Sequence, residues 1–162
     1  MTTPLQIIGI GNPMRGDDAL GWQVVEQLRE MFPEVPMLTC DGEATRLLQY
    51  FEQSNEVILI DCVHSGAPAG KMFRLEGEQI RGESFRTSTH TFGLEQAIEL
   101  AISLKKLPRT LLFFGVEGAQ FDWGAPLSEA VSRTMETLIS ELAKEILRND
   151  GGIHGYARTV PN

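Results

Sequence analysis

The sequence predicts an α/β fold: a three-layer sandwich in which a twisted, mostly parallel sheet of about five strands lies between helices on both faces. Two compact apolar runs, Val57-Ile58-Leu59-Ile60 and Leu111-Leu112-Phe113-Phe114, read as strands buried on both faces. Stretches with apolar residues at helical spacing alternate with such runs for most of the chain, the pattern of strands joined by helical crossovers. The 162 residues, 42% of them apolar, are enough for one domain with a real core.

The elements follow in order. Residues 5–10 read as the first strand. Residues 17–32 read as a helix, with Leu20, Val24, Val25, Leu28 and Phe32 on one stripe. Residues 35–40 form a second strand, which Pro36 assigns to an edge or a strand start. A short helix over 44–52 uses Leu47, Leu48 and Phe51. Residues 57–61 are the third strand, ending in Asp61. The turn Ser65-Gly66-Ala67-Pro68-Ala69-Gly70 is too short for a helical crossover, so the strand after it, Lys71 to Leu75, runs antiparallel to its predecessor. A helix over 91–105 turns Leu94, Ala97, Ile98 and Ala101 inward, and residues 111–116 are the fifth strand. The last helix covers 128–148, with Ser128 as N-cap and Val131, Met135, Leu138, Ile139, Leu142 and Ile146 as its stripe. Residues 1–150 are expected to be a single domain, and residues 151–162, of loop composition, a flexible tail.

Composition excludes some classes of function. The net charge of −8 opposes nucleic-acid or anionic-membrane binding, which rests on positive patches, and leaves open a protein partner with a basic segment. No apolar run approaches the ~18 residues of a membrane span. Met1-Thr2-Thr3-Pro4 lacks the positive region and apolar stretch of a secretory signal, so the expected location is cytoplasmic. Cys40 and Cys62 are then expected to be free thiols, and without a CxxC pair a thiolate zinc site is not expected.

The informative feature is where acids fall. Open α/β sheets bind ligands beyond the carboxyl ends of their strands. Here the first strand leads into Gly9-Ile10-Gly11-Asn12-Pro13-Met14-Arg15-Gly16-Asp17-Asp18, the second ends in Asp41, the third in Asp61, and the fifth near Glu117; His90 stands just ahead of its helix. Each has an ordinary alternative. Asp17 or Asp18 is a helix cap, Asp61 a turn residue, Asp41-Gly42 a turn dipeptide, His90 a surface histidine. Cys62 reads as a small buried hydrophobe, and His64 and His154 as loop residues. The glycines invite comparison with a dinucleotide fingerprint, and Asp41 lies where a ribose-binding acid would, which makes a nucleotide-binding oxidoreductase the alternative. The match is partial, because Met14 stands in the third glycine's place and Asp17 and Asp18 would repel a pyrophosphate. The Gly11 to Gly16 spacing fits a phosphate loop, but Asp17 replaces the lysine. No G-x-S-x-G elbow is present.

Taken together, Gly9-Ile10-Gly11-Asn12 with Gly16-Asp17-Asp18-Ala19-Leu20-Gly21 resembles the N-terminal signature of hydrogenase maturation proteases. The Val57–Asp61 strand resembles that family's second motif, and Ser88-Thr89-His90-Thr91-Phe92-Gly93-Leu94 its histidine motif. Asp41-Gly42 also fits, with Glu43 where the family often has a second glycine; Gly115-Val116-Glu117 and Leu127-Ser128 resemble its C-terminal blocks. The resemblance spans about residues 5–147. It implies an endopeptidase, aspartic-type by analogy, that removes the C-terminal extension of a nickel-iron hydrogenase large-subunit precursor. It further implies that Asp18, Asp61 and His90 hold the nickel carried by that substrate and form the catalytic set, with Asp17 and Asp41 positioning substrate. A metal-sensing module without cleavage is the other alternative.

Overall fold

The computed structural model describes residues 3–77, 79–82, 86–87 and 93–148. The expected His90 and the tail over 151–162 lie outside them. The elements are β1 (Thr3–Ile10), a 3-10 turn (Gly16–Ala19), α1 (Leu20–Met31), β2 (Met37–Cys40), α2 (Ala44–Glu52), β3 (Ser54–His64), β4 (Met72–Glu76), α3 (Gln79–Gly82), β5 (Arg86–Thr87), α4 (Gly93–Ser103), β6 (Thr110–Glu117) and α5 (Glu129–Arg148). Their sheet has the order β2-β1-β3-β6-β4, with β5 paired to the end of β3. β2, β1, β3 and β6 are parallel; β4 and β5 are antiparallel to their neighbours. Among the described residues no helix is long and apolar enough to cross a membrane.

The period-two alternation of the strands fills both faces. Leu5, Ile7, Ile58, Ile60, Leu112, Phe114 and Val116 pack with α1 and α5 through Leu20, Val24, Leu28, Val131, Leu138, Leu142 and Ile146. Ile8, Ile10, Val57, Leu59, Leu111 and Phe113 pack with α2 and α4 through Leu47, Phe51, Leu94, Ala97, Ile98 and Ala101. This is the three-layer sandwich expected, with the apolar runs of β3 and β6 at its centre.

Three details depart from expectation. β3 does not end in Asp61: it continues to His64, because β6 stays in register with it from Glu56↔Thr110 to Val63↔Glu117 and β5 joins at Val63 and His64. β4 runs antiparallel to β3 but pairs with β6, since β1 and β6 already occupy both flanks of β3; Gly70 N–H to the Glu117 carbonyl and Glu117 N–H to the Lys71 carbonyl, both 2.8 Å, begin that pairing. The helix expected from residue 17 starts instead with the 3-10 turn, which takes Asp17 and Asp18 out of solvent.

Two glycines set how closely α1 approaches the strand ends. A Cβ on Gly9 would lie 2.2 Å from the Gly21 carbonyl oxygen, and one on Gly21 would lie 2.5 and 2.7 Å from the carbonyl oxygens of Ile10 and Ile60. These neighbours are backbone and cannot rotate away. Gly21→Ala should therefore cost roughly 3 kcal/mol, the upper range for overpacking, read as a lower urea midpoint at unchanged m-value. An unaltered midpoint would show that the approach is not tight.

Candidate active site at the carboxyl ends of the parallel strands

The four parallel strands finish on one rim, and the acids collect there. Asp17, Asp18, Asp61 and Glu117 are 0%, 0%, 1% and 3% exposed. Asp41 is open to solvent. Burying a carboxylate is costly unless its oxygens are hydrogen-bonded, so the partners of each acid reveal its role.

Asp17 is spent on the chain itself. Its Oδ2 accepts from the amides of Ala119 and Gln120 at 2.7 and 2.9 Å and from the Ser128 hydroxyl at 2.9 Å; its Oδ1 accepts from the Ser128 amide at 2.6 Å. The Asp17 amide in turn donates to the Gln120 carbonyl at 2.7 Å. This residue fastens the segment after β6, and the start of α5, to the loop after β1. Ser128 completes the joint as the expected cap, its Oγ lying 3.4 Å from the Val131 amide. Glu117 fastens a second loop, accepting from the Ser65 amide and hydroxyl and the Gly66 amide at 2.8–3.1 Å. Asp41 pairs with Arg46 at 2.7 Å and accepts from the Glu43 amide at 3.1 Å. Glu43, for which composition held no signal beyond its place before a helix, caps α2 through the amides of Thr45 and Arg46.

Asp18 and Asp61 are differently placed. Asp18 Oδ2 accepts from the Asn12 amide at 3.0 Å. Asp61 Oδ1 accepts from the adjacent Cys62 amide at 2.8 Å, and among the described residues its Oδ2 has no hydrogen-bond donor. Burial pushes the Asp61 carboxyl well above the usual carboxylate range; the charge of Asp18 raises it further, and the Cys62 amide only partly opposes them. Two buried carboxyl groups from separate segments, close enough to repel, make a pair suited to a shared proton or a divalent cation. Among the described residues no group of three His, Cys, Asp and Glu side chains is placed to hold a metal ion. His90, expected as the third ligand, is not among those residues.

The glycine loop serves this pair. Gly11 has φ 144°, and a Cβ there would lie 2.0 Å from the Asp18 carbonyl oxygen. The Asn12 amide, which in a dinucleotide site would face phosphate, is given to Asp18. The loop is thus folded around a carboxylate, which leaves the nucleotide-binding alternative without its phosphate cradle. Asn12 also turns the chain by accepting the Met14 amide on Oδ1 at 2.9 Å. The spacing of the first motif was its only signal in the sequence. Neither thiol is a nucleophile in this setting: burial pushes Cys40 up to about 11 and pushes Cys62 higher still. His64 is exposed, its ring centroid 5.6 Å from that of Phe121.

The fold is a mostly parallel α/β sandwich with a buried acid pair near the carboxyl ends of its strands. Comparison with known proteins gives the family. The chain belongs to the hydrogenase maturation protease family, whose model matches residues 22–145. It is 30% identical over 158 residues to the hydrogenase expression/formation protein HoxM of Azotobacter vinelandii, covering 93% of this chain and 76% of that one. It is 28% identical over 155 residues to a putative hydrogenase maturation protease of Methanocaldococcus jannaschii, covering 88% of each. The solved hydrogenase maturating endopeptidase HybD from E. coli shares the fold with a TM-score of 0.77 at 22% identity, over 92% of this chain and 94% of that one.

Proposed function

We propose that this chain is the endopeptidase that removes the C-terminal extension of a nickel-iron hydrogenase large-subunit precursor once nickel has been inserted. The observation that supports this best is the Asp18–Asp61 pair, buried between the 3-10 turn after β1 and the C-terminal part of β3, with no donor to Asp61 Oδ2 among the described residues and its carboxyl raised by burial and by its neighbour. A cation arriving in the substrate relieves that repulsion; an apo-precursor does not. The pair, with His90, thus discriminates the two states of one substrate by an attractive contact present in only one of them. Two carboxylates and an imidazole suit a divalent ion of borderline hardness such as nickel. For cleavage, a carboxyl of the pair takes a proton from the attacking water, a role that an elevated proton affinity favours. The turn after β1 and strand β3 bring Asp18 and Asp61 together, and the packed thiols leave no activated sulfur to compete as nucleophile.

The test uses nickel-loaded and apo-precursor side by side, with the released extension followed by mass spectrometry. The expected result is release from the loaded form only. Asp18→Ala, Asp61→Ala and His90→Ala should each reduce release by at least ~100-fold, the low end for losing a general acid–base group, with circular dichroism unchanged. Equal cutting of both forms would rule out metal sensing. Binding of loaded precursor without any mass change would reduce the chain to a recognition module.

A further inference from the structure

The same rim carries a second feature. Arg15, in the loop after β1, forms an isolated antiparallel bridge with Trp123, in the segment after β6, and the Gly124 amide donates to the Met14 carbonyl at 2.7 Å. Directly bridged residues project to the same side, so the guanidinium and indole share one face. Trp123 is 70% exposed, the most exposed large hydrophobic among the described residues, and Met14 beside it is 52% exposed. Among the described residues Arg46, Arg74, Arg109, Arg133 and Arg148 each have a carboxylate partner and Arg29 donates to the Met37 carbonyl, whereas the Arg15 guanidinium has neither, in a chain with 22 acidic and 14 basic side chains.

Neither residue stands on a loose loop. Asp17 ties residues 119, 120 and 128 to the turn after β1, and Gly16, at φ 52°, is pressed so closely on Gln120 that a Cβ would lie 2.4 Å from its carbonyl oxygen. An exposed tryptophan and a half-buried arginine held on a rigid frame have already met the ordering cost of binding, the property that marks interface hot spots. The frame is continuous with the site: Asn12, whose amide holds Asp18, and Arg15 belong to one turn, closed by the Arg15 amide to the Asn12 carbonyl at 3.2 Å.

We propose that Arg15 and Trp123 are the docking point for the protein substrate, the indole receiving an apolar side chain and the guanidinium a carboxylate from one segment of the precursor. This rests on the peptidase reading above. Charge selects that occupant: a cation without a described partner on a chain of net charge −8 is matched by an acidic group on the incoming protein.

Steady-state cleavage of nickel-loaded precursor tests it, with affinity for uncleaved precursor measured by calorimetry. Trp123→Ala and Arg15→Ala should each lower kcat/KM by about tenfold or more, with the loss concentrated in KM and matched by weaker binding. Arg15→Lys should recover part of that loss, and Arg15→Glu should deepen it. Leu104→Ser, at an exposed hydrophobic after α4, serves as the control with wild-type constants. If the wild type cuts and the Trp123 and Arg15 variants keep its KM, the docking proposal is wrong while the peptidase stands. A wild type that neither binds nor cuts loaded precursor removes the peptidase reading and the docking point with it.

Discussion

Asp61→Asn is expected to abolish cleavage and at the same time to raise thermal stability. The replacement keeps an oxygen for the Cys62 amide, which now bonds Oδ1 at 2.8 Å, and removes a charge that burial and Asp18 both disfavour. Because the folded-state carboxyl titrates above its unfolded value of about 4, the native state holds its proton longer. The contribution of Asp61 to stability is therefore most favourable below the unfolded pKa and is lost as pH rises through the folded one. Asn cannot ionise, so the advantage of the variant should be small near pH 4 and grow toward neutrality. A gain of ~1 kcal/mol corresponds to roughly 2–4 °C in Tm for a chain of this size. Activity should fall by about two orders of magnitude or more, since neither proton transfer nor a cation contact survives. Differential scanning calorimetry at several pH values, with the cleavage assay, measures both. A variant less stable than wild type at pH 8 would mean that Asp61 is held by favourable contacts, and that the rim stores no repulsion for a substrate's cation to relieve.

The neighbouring acid should behave in the opposite way. Asp17→Ala leaves the amides of Ala119, Gln120 and Ser128 and the Ser128 hydroxyl without their acceptor, at a position fully shielded from water. Stranding donors in this way costs about 1–3 kcal/mol each when nothing replaces the bond. Relaxation of the loop recovers part of that, so a net loss of about 3–5 kcal/mol is expected, with Tm lower by ~10 °C or more. Hydrogen exchange should rise first in residues 118–128 and the first turn of α5. Asp17→Asn keeps one acceptor but turns an NH2 toward donors, and should fall between the two. Asp18→Ala, by contrast, is expected to lose activity with much less effect on the fold. If Asp17→Ala melts like wild type, the joint between the two loops is not what holds the rim.

The apolar runs at 57–60 and 111–114 named the central strands, since a strand covered on both faces has no polar alternation to hide it. The helical stripes named α1, α4 and α5, and the acids after the strands were expected on the rim where Asp17, Asp18, Asp61 and Glu117 are buried. Adjacent Asp17 and Asp18 could not be told apart, because they occupy the same turn and the same kind of neighbourhood in sequence. Their roles depend on a segment about a hundred residues downstream folding over one of them and not the other. Asp41 was legible as a turn residue, but its pairing with Arg46 depends on where α2 begins.

Local periodicity and motif spacing were thus sufficient for the layers and for the family. The length of β3, the placing of β4 against β6 and the division of labour among the acids came from contacts between distant segments. A strand's reach is set by its partners' register, and a carboxylate's role by which donors arrive. Neither is encoded within a few residues of the position concerned.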